Sequence, residues 1–288
     1  LKVYTPEPGK EGITAGNDYE LRSMIGDRTY SASLTTPAGD TIYNAGMDYW
    51  TTYNVTGSSF TGGTVPYPNE NSSTVFWVGG NNKNTDALCT GTTEEGNNGE
   101  KCALLRPGIA TGENFAAGNL FTGTFECGTG MLDMFGYARF GVKYMFTARP
   151  KALRVHYKAT IDKVTHAGKT GLTTNDYDYA KIFVCITDWS ARHSVKSGVS
   201  YDETTFWSPN ESASLSEGAI LGYSSKLIME STAGWVTETL PIEWYAPEAG
   251  VPTGNFTLVI SCATSYKGDY MGGSQNNRLY IEDFEWVY

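Results

Sequence analysis

Residues 258–288 read LVISCATSYKGDYMGGSQNNRLYIEDFEWVY. Two runs rich in β-branched and aromatic residues flank a connection rich in Gly, Asn and Ser, which predicts a strand, a loop and a final strand. In the final run, the period-two alternation of a strand places Asp283 on the same face as Leu279 and Ile281. A carboxylate among apolar neighbours must be hydrogen-bonded, paired or metal-bound, because an isolated buried charge is costly.

Three further stretches fit one pattern together with the terminal strand. They are Ala116-Ala-Gly-Asn-Leu-Phe-Thr-Gly123, Arg149-Pro-Lys-Ala-Leu153 and Gly268-Asp-Tyr-Met-Gly-Gly273. In this order and spacing they resemble a family usually called the putative carbohydrate metabolism domain, over roughly residues 45–288. The resemblance implies a jelly-roll β-sandwich that handles glycans, in secreted or surface proteins of Gram-negative gut bacteria. It does not imply a particular reaction.

The composition also favours strands. The chain has 19 Tyr, 12 Phe and 33 Gly residues, and aromatic and β-branched residues favour strands while Gly and Asn favour turns. The composition predicts an all-β sandwich or barrel with long surface loops, notably 79–101, and little helix. The resemblance implies that it is a jelly-roll sandwich like those of carbohydrate-binding modules. Residues 1–44 are predicted to form N-terminal strands, packed on the main domain 45–288 or left from a preceding domain. The predicted strands are 19–25, 29–34, 74–78, 119–126, 141–146, 152–160, 180–188, 215–229, 235–244, 256–263 and 279–288.

The net charge limits the classes of partner. A formal charge of -10 argues against a nucleic-acid partner and against electrostatic attachment to an anionic membrane. No stretch reaches the ~20 apolar residues of a transmembrane helix. Residue 1 is Leu rather than Met, so we read the chain as one whose targeting segment has been removed. We expect an exported protein, periplasmic or anchored at the outer-membrane surface, that meets glycans and possible partner surface proteins.

The five cysteines do not suggest a zinc site, because no Cys-x-x-Cys pair or neighbouring His supports one. Cys185 and Cys262 lie in apolar strand contexts, which is typical of small buried side chains. Cys89 and Cys102 bracket a polar loop. They could pair in an oxidising compartment or remain as two free thiols.

Sugar recognition needs flat apolar rings for pyranose faces and planar polar groups for hydroxyls. Trp and Tyr residues in polar loops or at strand ends are therefore candidates, whereas we expect Trp50 and Trp77 to pack in the core. The matching motifs add polar residues, for which hydrogen bonds within the protein are the competing interpretation. The predicted ligand-binding residues are Trp189, Trp207, Tyr266, Asp269, Tyr270, Asn119 and Arg149.

A structural calcium ion is the one cofactor that we consider, and none is required. The segment Ile281-Glu-Asp-Phe-Glu285 resembles the last strand of jelly-roll carbohydrate-binding modules that hold Ca²⁺. Such an ion takes six to eight oxygen ligands, and Asp283 is the candidate here.

Catalysis is left open by the sequence. A glycosidase needs two carboxylates ~5–9.5 Å apart, and no motif singles out two of the 31 acids. Asp133, Glu203, Glu243 and Asp283 are the acids that we considered. Our first hypothesis is non-catalytic glycan binding in carbohydrate acquisition. The alternatives are a glycoside hydrolase with an unidentified carboxylate pair and a structural or adhesive surface protein.

Overall fold

The computed structural model describes residues 18–35, 40–59, 61–85, 87–96, 100–129, 135–146, 148–209, 215–245 and 256–288. Within them the secondary structure consists of strands and two short 3-10 turns, with no α-helix. The strands are β1 Asp18–Ile25, β2 Arg28–Thr35, β3 Thr51–Val55, β4 Gly63–Tyr67, β5 Trp77–Val78, β6 Cys89–Thr92, β7 Cys102–Leu105, β8 Gly108–Ala110, β9 Asn114–Ala116, β10 Asn119–Cys127, β11 Phe135–Phe140, β12 Val142–Lys143, β13 Ala152–Thr160, β14 Ala180–Thr187, β15 His193–Gly198, β16 Ile220–Ile228, β17 Val236–Pro241, β18 Glu243–Trp244, β19 Thr257–Ala263 and β20 Arg278–Val287.

Two antiparallel sheets carry the fold. The large sheet has nine strands, in the order β15-β11-β10-β19-β14-β16-β18, with β12 paired to β19 and β5 paired to β10. The small sheet has five strands, in the order β17-β13-β20-β7-β6. Three hairpins, β1–β2, β3–β4 and β8–β9, form separate two-stranded sheets.

The two sheets pack face to face around one core. Alternate residues of β14 and β19, such as Ile182 and Ile260, are fully buried and meet Leu153 of β13 and Leu279 of β20 in the same apolar cluster. Burial of each such side chain contributes about 1.5–3 kcal/mol. The prediction of an all-β sandwich is therefore confirmed, while its finer assignment as a jelly roll stays a prediction.

The strands of clearest alternation lie where the sequence predicted them. In β13 the residues Leu153, Val155 and Tyr157 are buried and the intervening residues are partly exposed. The nearly continuous apolar run of β14 is a central strand, flanked by β16 and β19. The predicted strands 74–78 and 141–146 shorten to the two-residue strands β5 and β12.

The predicted surface loop 79–101 is wrong in part, because it contains β6, which pairs with β7 in the small sheet. Asn81 explains how a segment so polar is buried. Its side-chain oxygen accepts hydrogen bonds from the backbone N–H groups of Leu88 and Cys89, both at 2.8 Å. Its amide nitrogen donates to the carbonyl oxygens of Cys89 and Pro66. Asn81, which is 1% exposed, thus satisfies backbone groups that would otherwise need hydrogen bonds from water.

All five cysteines are buried free thiols, so the bridge between Cys89 and Cys102 is not formed. The strand register gives the reason. Cys102 lies opposite Thr92 and Cys89 lies opposite Leu105, so the two cysteines are at opposite ends of the β6–β7 hairpin. The Cys102 thiol instead contacts the carbonyl oxygen of Thr92 at 3.7 Å. The alternative of two free thiols is the correct one.

Asp283 does not share the buried face of Leu279 and Ile281. The pairing of β13 with β20 shifts between Arg154 and His156, which places one extra residue in β20. This β-bulge reverses the alternation, so Phe284 returns to the core while Asp283 adopts φ 53° with a side chain 47% exposed. The period-two prediction is wrong because it ignored the three-residue step between Ile281 and Phe284, which interrupts the alternation of apolar residues and marks the bulge.

Candidate functional site

A pocket with a volume of about 250 Å³ lies on the outer face of the large sheet, opposite the sandwich core. Strand alternation supplies its floor. The residues of β10, β14 and β19 that point away from the core include Phe121, Phe183 and Ser261, and all three line this pocket. Its walls come from the segments 80–88, 110–117, 207–209 and 265–271. We call it the sheet pocket.

Trp207 forms an aromatic wall of the sheet pocket. Its partly exposed ring meets Phe140 and Phe183 edge to face, with ring centroids 6.0 Å and 5.9 Å apart. Trp189 and His193 pack against it at 5.2 Å and 5.4 Å. A ring held on several sides loses little rotational freedom when a ligand stacks on it, which favours recognition of an apolar face.

Two opposite charges, Lys181 and Asp269, lie within the sheet pocket. Asp269 is a solvent-exposed residue that also lines the pocket. Desolvation by the pocket raises the pKa of Asp269 to about 6, and the charge of Lys181 opposes the rise. Burial likewise lowers the pKa of Lys181, whose Nζ lies 5.4 Å from the ring centroid of Phe183. Among the described residues none donates a hydrogen bond to the Asp269 carboxylate.

The loop between β19 and β20, which carries the Gly-Asp-Tyr-Met-Gly-Gly motif, is anchored by Asp178. This residue is fully buried, and its Oδ2 accepts hydrogen bonds from Ser265 Oγ at 2.6 Å, Ser274 N at 2.9 Å and Asn277 Nδ2 at 3.0 Å. Burial raises the pKa of Asp178 to about 6, against the lowering effect of these hydrogen bonds. One carboxylate therefore fixes both ends of the loop that bears Asp269.

The structure brings together four of the predicted ligand-binding residues. Trp207, Tyr266, Asp269 and Asn119 all line the sheet pocket. Tyr270 lines a neighbouring pocket instead. Asn119 also has a structural role, because its side-chain oxygen accepts a hydrogen bond from Gly80 N at 2.7 Å and its amide nitrogen donates to Ala117 O. Tyr266 stacks on Tyr179 with centroids 5.6 Å apart.

Trp189 and Arg149 lie outside the pocket. Trp189 is 3% exposed beneath Trp207, a placement that argues against the direct contact we expected and gives the ring a supporting role. The Arg149 guanidinium stacks 4.6 Å from the Trp244 ring centroid, on β18 at the far edge of the large sheet. Trp77 is fully buried, as expected for a core residue, and Trp50 packs against the same core.

The surroundings of Asp283 offer some of the donors that calcium prefers. A Cβ placed on Gly46 would lie 2.9 Å from Asp48 Oδ2 and 3.6 Å from Asp283 Oδ1, so two carboxylates flank this glycine. These oxygens fit calcium, whereas the imidazole of His156, with Nδ1 3.3 Å from Asp283 Oδ2, does not. Calcium at Asp283 stays a prediction.

No catalytic carboxylate pair is assembled in the described part of the sheet pocket, where Asp269 is the single acid. Glu203 lies in a 3-10 turn and accepts a hydrogen bond from Tyr201, while Glu243 is exposed on β18. Asp283 belongs to the small sheet. Asp133 lies outside the described residues.

Sequence reasoning missed Lys181, Phe183 and the residues of the neighbouring pocket other than Tyr270. A signal for Lys181 was available. A charged residue near the start of a strand that is otherwise apolar and central must lie over a polar or open site, because burial of an unpaired charge is costly. Phe183 follows two residues later on the same face.

This arrangement defines a two-layer β-sandwich with an aromatic, partly charged pocket on the outer face of its larger sheet. The sequence matches the family model described as "Putative carbohydrate metabolism domain" over residues 38–287, and the chain belongs to this family. The β1–β2 hairpin precedes the matched region. No curated protein matches the sequence. The described residues include no helix of the length and apolarity required to cross a membrane.

Two solved structures share the fold. One, described as a putative glycoside hydrolase from Bacteroides vulgatus ATCC 8482, has a TM-score of 0.56 and 17% identity, covering 84% of this chain and 96% of that one. The other, described as a putative glycoside hydrolase from Bacteroides thetaiotaomicron VPI-5482, has a TM-score of 0.50 and 18% identity, covering 94% of this chain and 78% of that one. At these identities the likeness concerns the fold alone.

Proposed function

We propose that the sheet pocket binds glycans without cleaving them, on an exported or cell-surface protein that takes part in carbohydrate acquisition. The observation that carries this proposal is the composition of the pocket. A fixed, partly exposed Trp207 faces a site that also holds Asp269 and Lys181. An apolar ring and a few polar groups are the two elements that a pyranose requires.

The chemistry of the polar groups agrees with binding. The Asp269 carboxylate accepts hydrogen bonds from hydroxyl groups, and the Lys181 ammonium donates them to ring or hydroxyl oxygens. The single described carboxylate of the pocket does not make the pair that glycosidic hydrolysis uses. Family membership in a carbohydrate metabolism domain supports a glycan as the partner.

Trp207→Ala tests this proposal, with Trp235→Ala as the matched control. Trp235 is also partly buried, but it lies outside the pocket, next to β17, where its indole nitrogen donates to Glu95 O at 2.8 Å. Plant and host polysaccharides embedded in native gels should retard the wild type and Trp235→Ala equally. Trp207→Ala should lose about 1–3 kcal/mol of binding, a five- to 150-fold weaker affinity. Equal retardation of both variants would place the site elsewhere.

A second candidate is glycoside hydrolysis, because two solved structures of this fold are described as putative glycoside hydrolases. A hydrolase would need Asp269 as one acid and a second carboxylate within ~5–9.5 Å. Asp133 and Glu211, both outside the described residues, are the acids to vary with it. Release of reducing sugar by the wild type, lost in Asp269→Asn and in either partner variant, would establish this candidate.

A structural or adhesive role is a third possibility, in which the chain recognises another surface protein. Under that role polysaccharides would not retard the wild type. Pull-down of a surface protein unaffected by Trp207→Ala would then favour adhesion over glycan binding.

A further inference from the structure

A second pocket of about 330 Å³ adjoins the sheet pocket. The two share four lining residues, Asn114, Phe115, Val199 and Met271, so one wall serves both. Each volume lies near the lower end of the range for small-molecule sites. We call the second one the tyrosine pocket, after Tyr201 and Tyr270 in its lining.

The tyrosine pocket repeats the chemistry of the sheet pocket. Tyr270 stands edge to face with Phe206, with centroids 5.0 Å apart, and Phe206 stacks on Tyr201 at 5.7 Å and 22°. Lys169 Nζ lies 4.7 Å from the Tyr201 ring centroid, and a hydrogen bond to Tyr201 raises the Lys169 pKa. Polar lining groups are completed by Glu113, Asn114 and His166.

The loop between β19 and β20 that carries the Gly-Asp-Tyr-Met-Gly-Gly motif, which we call the motif loop, forms the boundary between the two pockets. Three consecutive residues divide between them, with Asp269 in the sheet pocket, Tyr270 in the tyrosine pocket and Met271 in both. Met271 adopts a left-handed conformation, φ 57°, which turns the chain at the boundary. The Gly-Asp-Tyr-Met-Gly-Gly motif thus supplies a side chain to each pocket.

The loop that faces the motif is fixed against it. Lys169 N donates to Tyr270 O at 2.9 Å, and Gly273 N donates to His166 O at 2.8 Å. Gly168 has φ 51°, and a Cβ there would approach the carbonyl oxygens of Tyr270 and Met271 to 2.4 Å. The close backbone contact therefore requires Gly168 and holds the loop of the tyrosine pocket against the motif loop.

We propose that the tyrosine pocket is a second sugar subsite, and that the two pockets form one groove for an extended oligosaccharide chain. This inference rests on the proposed function of the sheet pocket. Sugar units bound in adjoining subsites are covalently linked, so the second unit binds at a high effective concentration and raises the affinity of longer chains. A monosaccharide occupies one subsite and gains no affinity from the other.

Isothermal titration with oligosaccharides of increasing length tests the proposal. The probes are the xylo-, cello-, arabino- and galacturono-series and mucin O-glycans, from monosaccharides to hexasaccharides. The variants are Tyr201→Ala and Tyr270→Ala, with Tyr201→Phe to retain the ring. Tyr177→Ala is the control, because Tyr177 is 49% exposed and lines neither pocket.

For the wild type we expect affinity to rise with chain length. Each Tyr→Ala variant should bind the hexasaccharide about five- to tenfold more weakly. Both should bind the shortest recognised saccharide within about twofold of wild type. Tyr201→Phe, which keeps the ring but loses the hydroxyl that contacts Lys169, should lose less affinity than Tyr201→Ala, and Tyr177→Ala should match the wild type throughout. Thermal unfolding of each variant checks that the fold is retained.

The outcomes separate the two proposals. Suppose that the wild type binds saccharides and that Trp207→Ala binds them more weakly. If the tyrosine variants then lose the same affinity at every chain length, or lose none, the second subsite is refuted while glycan binding stands. If no saccharide binds the wild type, or Trp207→Ala binds normally, the function of the sheet pocket is refuted and the subsite with it.

Discussion

Removal of the Asp178 carboxylate should release the motif loop. In Asp178→Ala, Ser265 Oγ and Ser274 N lose their acceptor in a fully buried site, and Asn277 loses one of its partners. An unsatisfied buried donor costs about 1–3 kcal/mol, so the two orphaned donors together with the third, weakened one should cost about 3–5 kcal/mol. Urea denaturation at pH 7.5 measures this loss.

Asp178→Asn separates the charge from the shape. The pKa of Asp178 is raised from 3.8 to about 6, a difference of 2.2, which corresponds to about 3 kcal/mol as an upper limit. Because the folded state holds the proton more tightly, this residue contributes most stability below pH 3.8, and that contribution is lost as the pH rises through about 6. The Asn variant lacks this dependence.

The assay is therefore the difference in unfolding free energy between wild type and Asp178→Asn at pH 4.5 and pH 7.5. Comparison of the two proteins cancels the other acids, such as Asp162 and Asp176, whose lowered pKa values act in the opposite direction. We expect the wild type to gain about 1–3 kcal/mol on the variant at the lower pH. A constant difference would contradict the raised pKa of Asp178, and an Asp178→Ala cost under about 1 kcal/mol would refute the anchoring role.

Three further predictions concern the site and the core. Affinity for the polysaccharide that retards the protein should fall about tenfold from pH 7.5 to pH 5, because Asp269, with its pKa raised to about 6, takes up a proton. An unchanged affinity would contradict this prediction, and so would a fall that persists in Asp269→Asn. If Asp283 holds calcium, millimolar CaCl₂ should raise the melting temperature of the wild type by a few degrees relative to EGTA, and should not do so in Asp283→Asn. Equal melting curves of the wild type in CaCl₂ and EGTA would contradict calcium binding at Asp283. All five thiols should react with a thiol reagent in urea without reductant. Almost none should react in the native protein, because burial raises the pKa of Cys127 to about 11 and of Cys102 to about 12. Three reactive thiols in urea would indicate a disulfide.

The strands were predictable wherever one physical pattern dominates. The alternation of Leu153, Val155 and Tyr157 specified β13, and the apolar run from Ala180 specified the central strand β14. The strand β6 was missed because Asn81 satisfies buried backbone groups from a polar sequence. Such a contact joins residues whose partnership the local composition does not reveal.

The site was predictable by residue type more than by position. Trp207 and Asp269 fall in the sheet pocket because both lie in polar connections at the open face of the large sheet. Trp189 had similar sequence surroundings, but Trp207 packs on top of it. The bulge that exposes Asp283 is marked within β20 by the three-residue step from Ile281 to Phe284, and pairing with β13 fixes the extra residue there.

A crystal structure of the protein soaked with the longest oligosaccharide that it binds in titration is the most direct measurement of glycan binding in the sheet pocket. Our account predicts sugar density stacked on the Trp207 ring, with a hydroxyl group within hydrogen-bond distance of the Asp269 carboxylate. Density for the saccharide at another surface, with the Trp207 ring bare, would contradict it.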